Sequence, residues 1–378
     1  MAVTPAQEVH DNRLAILITD QGDGGVERML VHTANALAAR GVTVHLLVAD
    51  RDHPFLDRCD DAVALSELET GSPVAAVRRF LEQERPAVLI SAKLRDDRLA
   101  VDARDAAGVD TRVLFRVGNP LVHRLRQRTK NPIRVWYTCM QMARLYRRAD
   151  GFIAVSSGIA DDLVRGLGVP RERIWTLPNP TVVDSLYDES KEPVPHRWLR
   201  DDAVPVVLSI GGLRRQKNFG VLLRAFAEVR ARCHVRLIIL GEGRQRERLL
   251  ALARRLGVAG DVDLPGWQPN PYAFMAHASV FVMSSRWEGS PNALVEAAAL
   301  GVPLVASDCF SGPREILQGG RLGHLVPVND VSALAAAIHQ ALESPLSPEC
   351  TRLAAEPYKA ESSAGAYLKA LGLEPVTS

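Results

Sequence analysis

Cysteine is scarce in this chain and never comes in pairs. The five residues, Cys59, Cys139, Cys233, Cys309 and Cys350, are scattered, and no two stand at CxxC spacing. That excludes a zinc knuckle and gives no disulfide framework, so reduced thiols in a cytoplasm are expected. The ten histidines are just as dispersed. None forms HExxH or a paired spacing, and no metal site is expected. No apolar run reaches the roughly 18–20 residues that cross a bilayer. The opening MAVTPAQEVHDN is polar and lacks the apolar centre of a signal peptide. The expectation is a soluble, cytoplasmic protein that at most rests on the inner face of the plasma membrane. Neither sign of charge dominates: 46 Lys and Arg face 44 Asp and Glu, a net charge of +2. No nucleic-acid partner is expected from that balance. Short internal repeats and low-complexity tracts are also missing.

What is present is an alternation of strands and helices. At 378 residues the chain suits two domains, of about 150–200 residues each. LAILITD (14–20) reads as a buried strand. In VERMLVHTANALAARG (26–41), Met29, Leu30, Ala34, Leu37 and Ala38 share one helical face, and Gly41 closes it. Strands at 42–50, 87–92, 112–117 and 151–157 continue the series, followed by a helix near 158–166 and the segment 172–180. Between Pro178 and Pro205 the pattern breaks into proline and charge without a period, which reads as a linker. The alternation restarts at 204–212 and runs to a helix over 331–343; a helical tail follows at 351–373. This predicts an α/β protein of two doubly wound, Rossmann-like domains with parallel sheets, facing each other across a cleft.

The segment SSRWEGSPNALVEAAALGVPLVASD (284–308) carries the strongest chemical signal. A strand ends in serines, and Ser290 and Pro291 look like the cap and first residue of a helix. The positive end of that helix suits a phosphate. Glu288 just before it and Glu296 inside it are poor phosphate ligands but good acceptors for sugar hydroxyls. A capped helix with solvated acids is the plainer reading, and spacing alone does not decide. In SIGGLRRQKNFG (209–220) a strand ends in two glycines, and Arg214, Arg215 and Lys217 precede a helix. These cations suit a diphosphate, or a solvated turn. In DQGDGGVERM (20–29), Gly22, Gly24 and Gly25 permit close backbone approach, although GxGxxG is not met. Residues 116–148 hold nine Arg or Lys and no Asp or Glu, interleaved with Trp136, Tyr137, Met140, Met142, Leu145 and Tyr146. That tract reads either as a patch for anionic lipid or an anionic acceptor, or as a solvated helix surface.

Together these motifs resemble family 4 of the retaining glycosyltransferases, enzymes of GT-B fold. GGVERMLVHTANALAARG resembles the family's glycine loop and first helix. ADGFIAVSSGIADDL with LPNP resembles the close of its first domain, and GGLRRQKNFGVLLRAFAEV its phosphate-binding turn. EGSPNALVEAAALGVPLVASD matches its E-x7-E signature, and SGPREIL (311–317) is also family-like. The resemblance implies an acceptor-binding domain over 1–185, a nucleotide-sugar domain over 186–351, and a C-terminal helix, 352–374, returning to the first. It implies a hexosyl transfer from a nucleotide diphosphate sugar, uridine being the commonest base, to a saccharide, a lipid-linked acceptor or a small molecule.

Roles follow from the same resemblance. Glu288 would hold donor-sugar hydroxyls and Glu296 the ribose. Lys217 with Arg214 or Arg215 would neutralise the diphosphate, with the amides of Gly289 and Ser290 and the neighbouring Pro291 and Asn292. Gly24 and Gly25 would approach the donor from the first domain, and Gly266 and Trp267 would lie near the base. No metal or other cofactor is implied. Two departures stand out. Gly211-Gly212-Leu213 replaces the family's Gly-Arg-Leu. Gly118 stands where many members place a histidine, so Arg116 or Asn119 is expected on the acceptor side, with His123 as a further candidate. A nucleotide-sugar 2-epimerase of the same build and a non-catalytic nucleotide-sugar binder are the competing expectations.

Overall fold

A computed structural model describes residues 12–19, 24–52, 55–69, 71–200 and 204–373. The chain divides into two compact units. One runs to Pro180 and resumes from Ala360, and the other is Thr181–Lys359.

The first unit contains β1 (Arg13–Ile18), α1 (Gly25–Ala38), β2 (Thr43–Val48), β3 (Ala64–Glu67), α2 (Pro73–Glu84), β4 (Val88–Ser91) and α3 (Leu94–Ala107). It continues with β5 (Arg112–Val117), α4 (Leu121–Arg128), α5 (Pro132–Tyr146), β6 (Gly151–Ala154), α6 (Ser157–Leu167) and β7 (Ile174–Thr176). The seven strands form one parallel sheet in the order β3-β2-β1-β4-β5-β6-β7, with Ile16 of β1 between Leu46 and Ile90 in register. Central strands such as RLAILI and RVLFRV are apolar nearly throughout because helices cover both faces of the sheet. Leu14, Ile16 and Leu114 face one side, and Ala15, Leu17, Val113 and Phe115 the other.

The second unit contains α7 (Asp184–Ser190), β8 (Val206–Ile210), α8 (Phe219–Arg230), β9 (Arg236–Leu240), α9 (Arg246–Arg255), β10 (Val262–Gly266) and α10 (Pro271–Ala276). Next come β11 (Val280–Met283), α11 (Asn292–Ala299), β12 (Leu304–Ser307), α12 (Pro313–Ile316), β13 (His324–Val326), α13 (Val331–Glu343) and α14 (Pro348–Arg352). Its six strands are parallel too, in the order β10-β9-β8-β11-β12-β13. The last helix, α15 (Ala360–Leu371), belongs to the first unit, where Ala364, Tyr367, Leu368 and Leu371 join Leu30, Ala34 and Leu37 of α1 in one core. Ser363 Oγ donates to Pro178 O at 2.7 Å, and Arg112 donates to Leu371 O at 2.6 Å.

Two features differ from the sequence reading. The stretch 178–205 is not a bare linker. Leu186, Val194, Trp198 and Leu199 are buried in the core of the second unit. Asn270 holds the same stretch by bonds to Glu189 O and Glu192, and His196 pairs with Asp263 at 2.8 Å. Its anchors follow no helical or strand period, because they belong to one short helix, one 3₁₀ turn and the coil between. The boundaries between units also fall at 180/181 and 359/360 rather than at 185/186 and 351/352. The amides of Thr181 and Val182 both donate to Tyr358 O at 3.0 Å, which joins the two connecting segments on the second unit's side.

Candidate functional site

In an open parallel sheet, ligands bind beyond the carboxyl ends of the strands where the strand order reverses, because the loops there run apart. In the second sheet that point lies between β8 and β11, which pair through Val207–Val280 and Leu208–Phe281. The two segments singled out in the sequence leave the sheet at this edge, 211–218 from β8 and 284–291 from β11.

A part-buried ion pair joins them. Lys217 Nζ donates to Glu288 Oε1 at 2.7 Å. Ser285 Oγ donates to the same oxygen at 2.6 Å, and Gln216 Nε2 donates to Oε2 at 3.2 Å. The Glu288 side chain is 8% exposed and that of Lys217 21%. The two segments are also stitched through the backbone. Ser284 Oγ donates to Lys217 O and the Arg286 amide to Gln216 O, both at 2.8 Å. Gly211 makes room for the lysine. Its φ of 151° is one that side chains rarely adopt, and a Cβ there would lie 2.7 Å from Lys217 Cε and push the lysine stem from its present path. Arg214 and Arg215 stand exposed on the turn between. Burial, then the neighbouring Arg215, lower the pKa of Arg286. Cys309 is buried beside the pair. Burial first, and then the Glu288 carboxylate, push its thiol far up, which keeps it protonated and unreactive.

The start of α11 departs from expectation. Its cap is Pro291, whose carbonyl accepts from Leu294 at 3.0 Å and Val295 at 3.4 Å; Ser290 does not cap it. The cause is the adjoining 311–312 turn. Ser311 Oγ donates to Gly289 O at 3.0 Å, and Gly312, at φ 94°, packs so closely that a Cβ would lie 2.5 Å from Pro291 Cδ. Pro291 is held extended, at φ −75° and ψ 95°, and the Ser290 hydroxyl lies by Tyr358. No side chain caps the first amides of α11. Thr181 Oγ1 donates to Asn292 Oδ1 at 3.3 Å. Glu296 is 3% exposed, with the Tyr272 hydroxyl 3.5 Å from its Oε1. At the end of β10, Gly266 takes φ 90° and its carbonyl accepts from Gly241 N at 2.8 Å; Trp267 is 67% exposed.

The first sheet reverses order between β1 and β4. There the buried Glu27 of α1 pairs with Lys93, and Arg95 donates to Thr19 O and Oγ1 at 2.9 Å. Thr19 also donates to Asp96, and Ser91 Oγ to Asp97 at 2.7 Å. Burial, with Asp96 nearby, pushes the Asp97 carboxyl up to about 8. Gly24 caps α1, and a Cβ on it would lie 2.9 Å from Glu27 Oε2. Among the described residues no three His, Cys, Asp or Glu side chains gather as a metal site would need.

A family model described as Glycosyltransferase Family 4 matches residues 23–185, and one described as Glycosyl transferases group 1 matches 204–344. The chain belongs to the family 4 glycosyltransferases. It is 29% identical to the lipopolysaccharide core biosynthesis glycosyltransferase LpsE of Rhizobium meliloti over 374 residues, 93% of this chain and 97% of that one. It is 40% identical over 144 residues to an uncharacterized glycosyltransferase of Methanocaldococcus jannaschii, a match that spans 37% of this chain and 35% of its relative. The fold matches that of Anabaena HepE, solved with UDP and glucose, with a TM-score of 0.78 and 18% identity over 95% of this chain and 99% of that one. The fold is thus GT-B.

Within this glycosyltransferase the expected residues fall into three groups. Lys217, Glu288, Gly289, Ser290, Pro291, Asn292 and Glu296 lie on the two segments at the second switch point, with Arg214 and Arg215 on the turn. Gly266 ends β10 with Trp267 just beyond it, and β9 separates that strand from β8. Gly24 and Gly25 open α1 in the other unit, while Gly22 lies outside the described residues. Arg116, expected on the acceptor side, is only 3% exposed. It donates to Asn179 Oδ1 at 2.6 Å and lies by the Tyr367 hydroxyl of α15, so its guanidinium joins β5 to the chain segments packed over it. Asn119 is half-buried just beyond β5. His123 is half-buried in the first turn of α4, its amide held by Asp162. Glu27, Lys93, Arg95 and Asp96 were not picked out from sequence. The run KLRDDR directly after the apolar AVLISA was the available signal.

Proposed function

We propose that this glycosyltransferase moves a sugar from a uridine diphosphate donor to an acceptor hydroxyl with retention at the anomeric carbon. The observation that carries the reading is the Lys217–Glu288 pair at the switch point of the second sheet, beside a helix start without a side-chain cap. The UDP bound to HepE, a protein of the same fold, supports the choice of base. Breaking the bond between sugar and diphosphate puts charge on the leaving oxygens, and fixed cations and amides act most strongly there. Lys217 turns from Glu288 to the diphosphate, Arg214 and Arg215 add charge, and the amides of Gly289 and Ser290 with the positive end of α11 complete the cradle. Glu288 then accepts from donor-sugar hydroxyls and Glu296 from the ribose. The leaving phosphate takes the acceptor's proton on the same face. Glu288 and Glu296 belong to one helix start and do not act as a hydrolase pair across a glycosidic bond. The chain's own cations do the work of a metal.

The second unit holds the donor, with Gly266 and Trp267 near the base. Gly24 and Gly25 let a ligand come close to the start of α1. On the acceptor side stand Asn119 and the Glu27–Lys93 pair, Arg116 being turned into the packing. A saccharide acceptor, free or carried on a lipid at the cytoplasmic face of a membrane, fits the lipopolysaccharide role named for the Rhizobium relative. The test is incubation with a panel of radiolabelled uridine diphosphate sugars, with and without acceptors. One sugar should be hydrolysed slowly alone and transferred when an acceptor is added. Tight donor binding without turnover across all acceptors would make the protein a binding partner, and inversion at C2 of the sugar would make it an epimerase.

A further inference from the structure

The start of α11 is braced from two directions. One brace is the adjoining loop, with Ser311 on Gly289 O and Gly312 against Pro291. The other comes from the two places where the chain enters and leaves the second unit, at Thr181 and at Lys359. The amides of Thr181 and Val182 share Tyr358 O as acceptor, and Val182 and Lys359 form a parallel bridge, so the two crossings make one clamp. Val182 and Tyr358 are both buried, in one core with Leu294 and Val295 of α11 and Ile316 of α12.

From this clamp two hydroxyls reach the same short segment. Thr181 Oγ1 donates to Asn292 Oδ1 at 3.3 Å, and the Tyr358 hydroxyl lies against that of Ser290. Burial first, and then the Glu315 carboxylate, hold the phenol above its usual range, so it keeps its proton at neutral pH. A hydroxyl inside a core costs free energy unless it finds a partner, and valine and phenylalanine would fill the same volume without that cost. Here both hydroxyls are directed at the residues on either side of Pro291. Thr181 has no exposed surface and Tyr358 is 5% exposed, so neither meets a ligand itself. Ser290 and Asn292, in front of them, are half-buried. Backbone amides hold an anion most strongly when their direction is fixed before it arrives.

We propose that Thr181 and Tyr358 are positioning residues of the donor site. Acting through Asn292 and Ser290, they fix the 289–292 backbone from behind and so preorganise the amides that meet the diphosphate. The inference rests on the reading of that segment as the diphosphate cradle. It places part of the cradle's geometry at the chain crossings, with Thr181 standing 111 residues before Asn292.

The test separates hydroxyl from packing in the full chain. Thr181→Val keeps the volume and removes the hydroxyl, whereas Thr181→Ser keeps the hydroxyl and removes a methyl group. In titration calorimetry Thr181→Val should bind UDP about fivefold to tenfold more weakly than the wild type, the worth of one net hydrogen bond, while its unfolding temperature stays close to the wild type's. Thr181→Ser should bind UDP like the wild type although it unfolds at a lower temperature. Tyr358→Phe should lose UDP affinity to the same extent as Thr181→Val. Uridine, which lacks the phosphates, should inhibit donor hydrolysis equally in all four proteins. Affinity that follows unfolding temperature across the series would make both residues structural and overturn the proposal, as would an equal loss for uridine and UDP. Wild-type affinity in Thr181→Val and Tyr358→Phe, with UDP binding weakened in Lys217→Ala, would overturn it and leave the donor site standing. A wild-type protein that binds no UDP would overturn both.

Discussion

Replacing Lys217 by alanine tests the site most directly, because it leaves the Glu288 carboxylate buried without its cation. At 2.7 Å the pair attracts by roughly 6 kcal/mol for an effective dielectric near 20. The dehydration of both groups offsets most of this, and removing one partner of a buried pair costs about 3–5 kcal/mol. Lys217 keeps a fifth of its surface in water, and Glu288 keeps Ser285 and Gln216. The loss should therefore lie at the low end, about 3 kcal/mol. Glu288→Gln in the same chain removes the orphaned charge, and the double variant should recover all but about 1 kcal/mol. Urea unfolding of the four proteins measures the cycle. Ligand binding separates the roles further. Lys217→Ala should weaken binding of UDP and lower turnover on the order of 10²–10³-fold. Glu288→Gln alone should bind UDP at least as well as the wild type, since the lysine is released from its competitor, yet turn over poorly. If Lys217→Ala unfolds like the wild type and the second change restores nothing, the pair is not the buried contact described. If UDP binds both single variants alike, Lys217 does not meet the diphosphate.

Three further outcomes are expected. Glu296→Ala should weaken binding of free UDP by tenfold or more in titration calorimetry, about 1.4 kcal/mol for one charge-assisted hydrogen bond; unchanged affinity would remove it from the ribose. His32, buried in α1 with its Nδ1 3.0 Å from Pro180 O, has its pKa lowered to about 4 by burial and then by Arg28. The unfolded chain binds that proton near pH 6.5, so the contribution to stability is complete above about 6.5 and is lost as the pH falls towards 4. The stability difference between wild type and His32→Gln should shrink by roughly 3 kcal/mol from pH 7.5 to 4, and a pH-independent difference would contradict this. Finally, EDTA should leave sugar transfer intact, and a loss reversed by magnesium would refute the metal-free mechanism.

The residue pattern alone carried the architecture a long way. Apolar runs such as LAILITD and SVFVMSS must be strands covered on both faces, and the helices between them force parallel sheets. The EGSPNALVEAAALGVPLVASD segment and the GGLRRQK turn could be read because their chemistry is local: glycines, cations and acids at strand ends. Folding added what depends on distant partners. Lys217 and Glu288 stand 71 residues apart along the chain, and whether they meet is decided by β8 and β11 lying side by side. The helix start at 291 shifted because Gly312 and Ser311 press on it from the following loop. Arg116 read as a ligand-facing cation at a strand end, but α15 returns more than 240 residues later to place Tyr367 over it, and burial turned the guanidinium into a packing tie. The stretch 178–205 looked like a linker because its anchors Leu186, Trp198 and Leu199 obey no period. Only the second unit's core shows what they bury against. Periodicity and strand-end chemistry are written in neighbouring residues, whereas the company a side chain keeps is set by which strands pair and which helices come back.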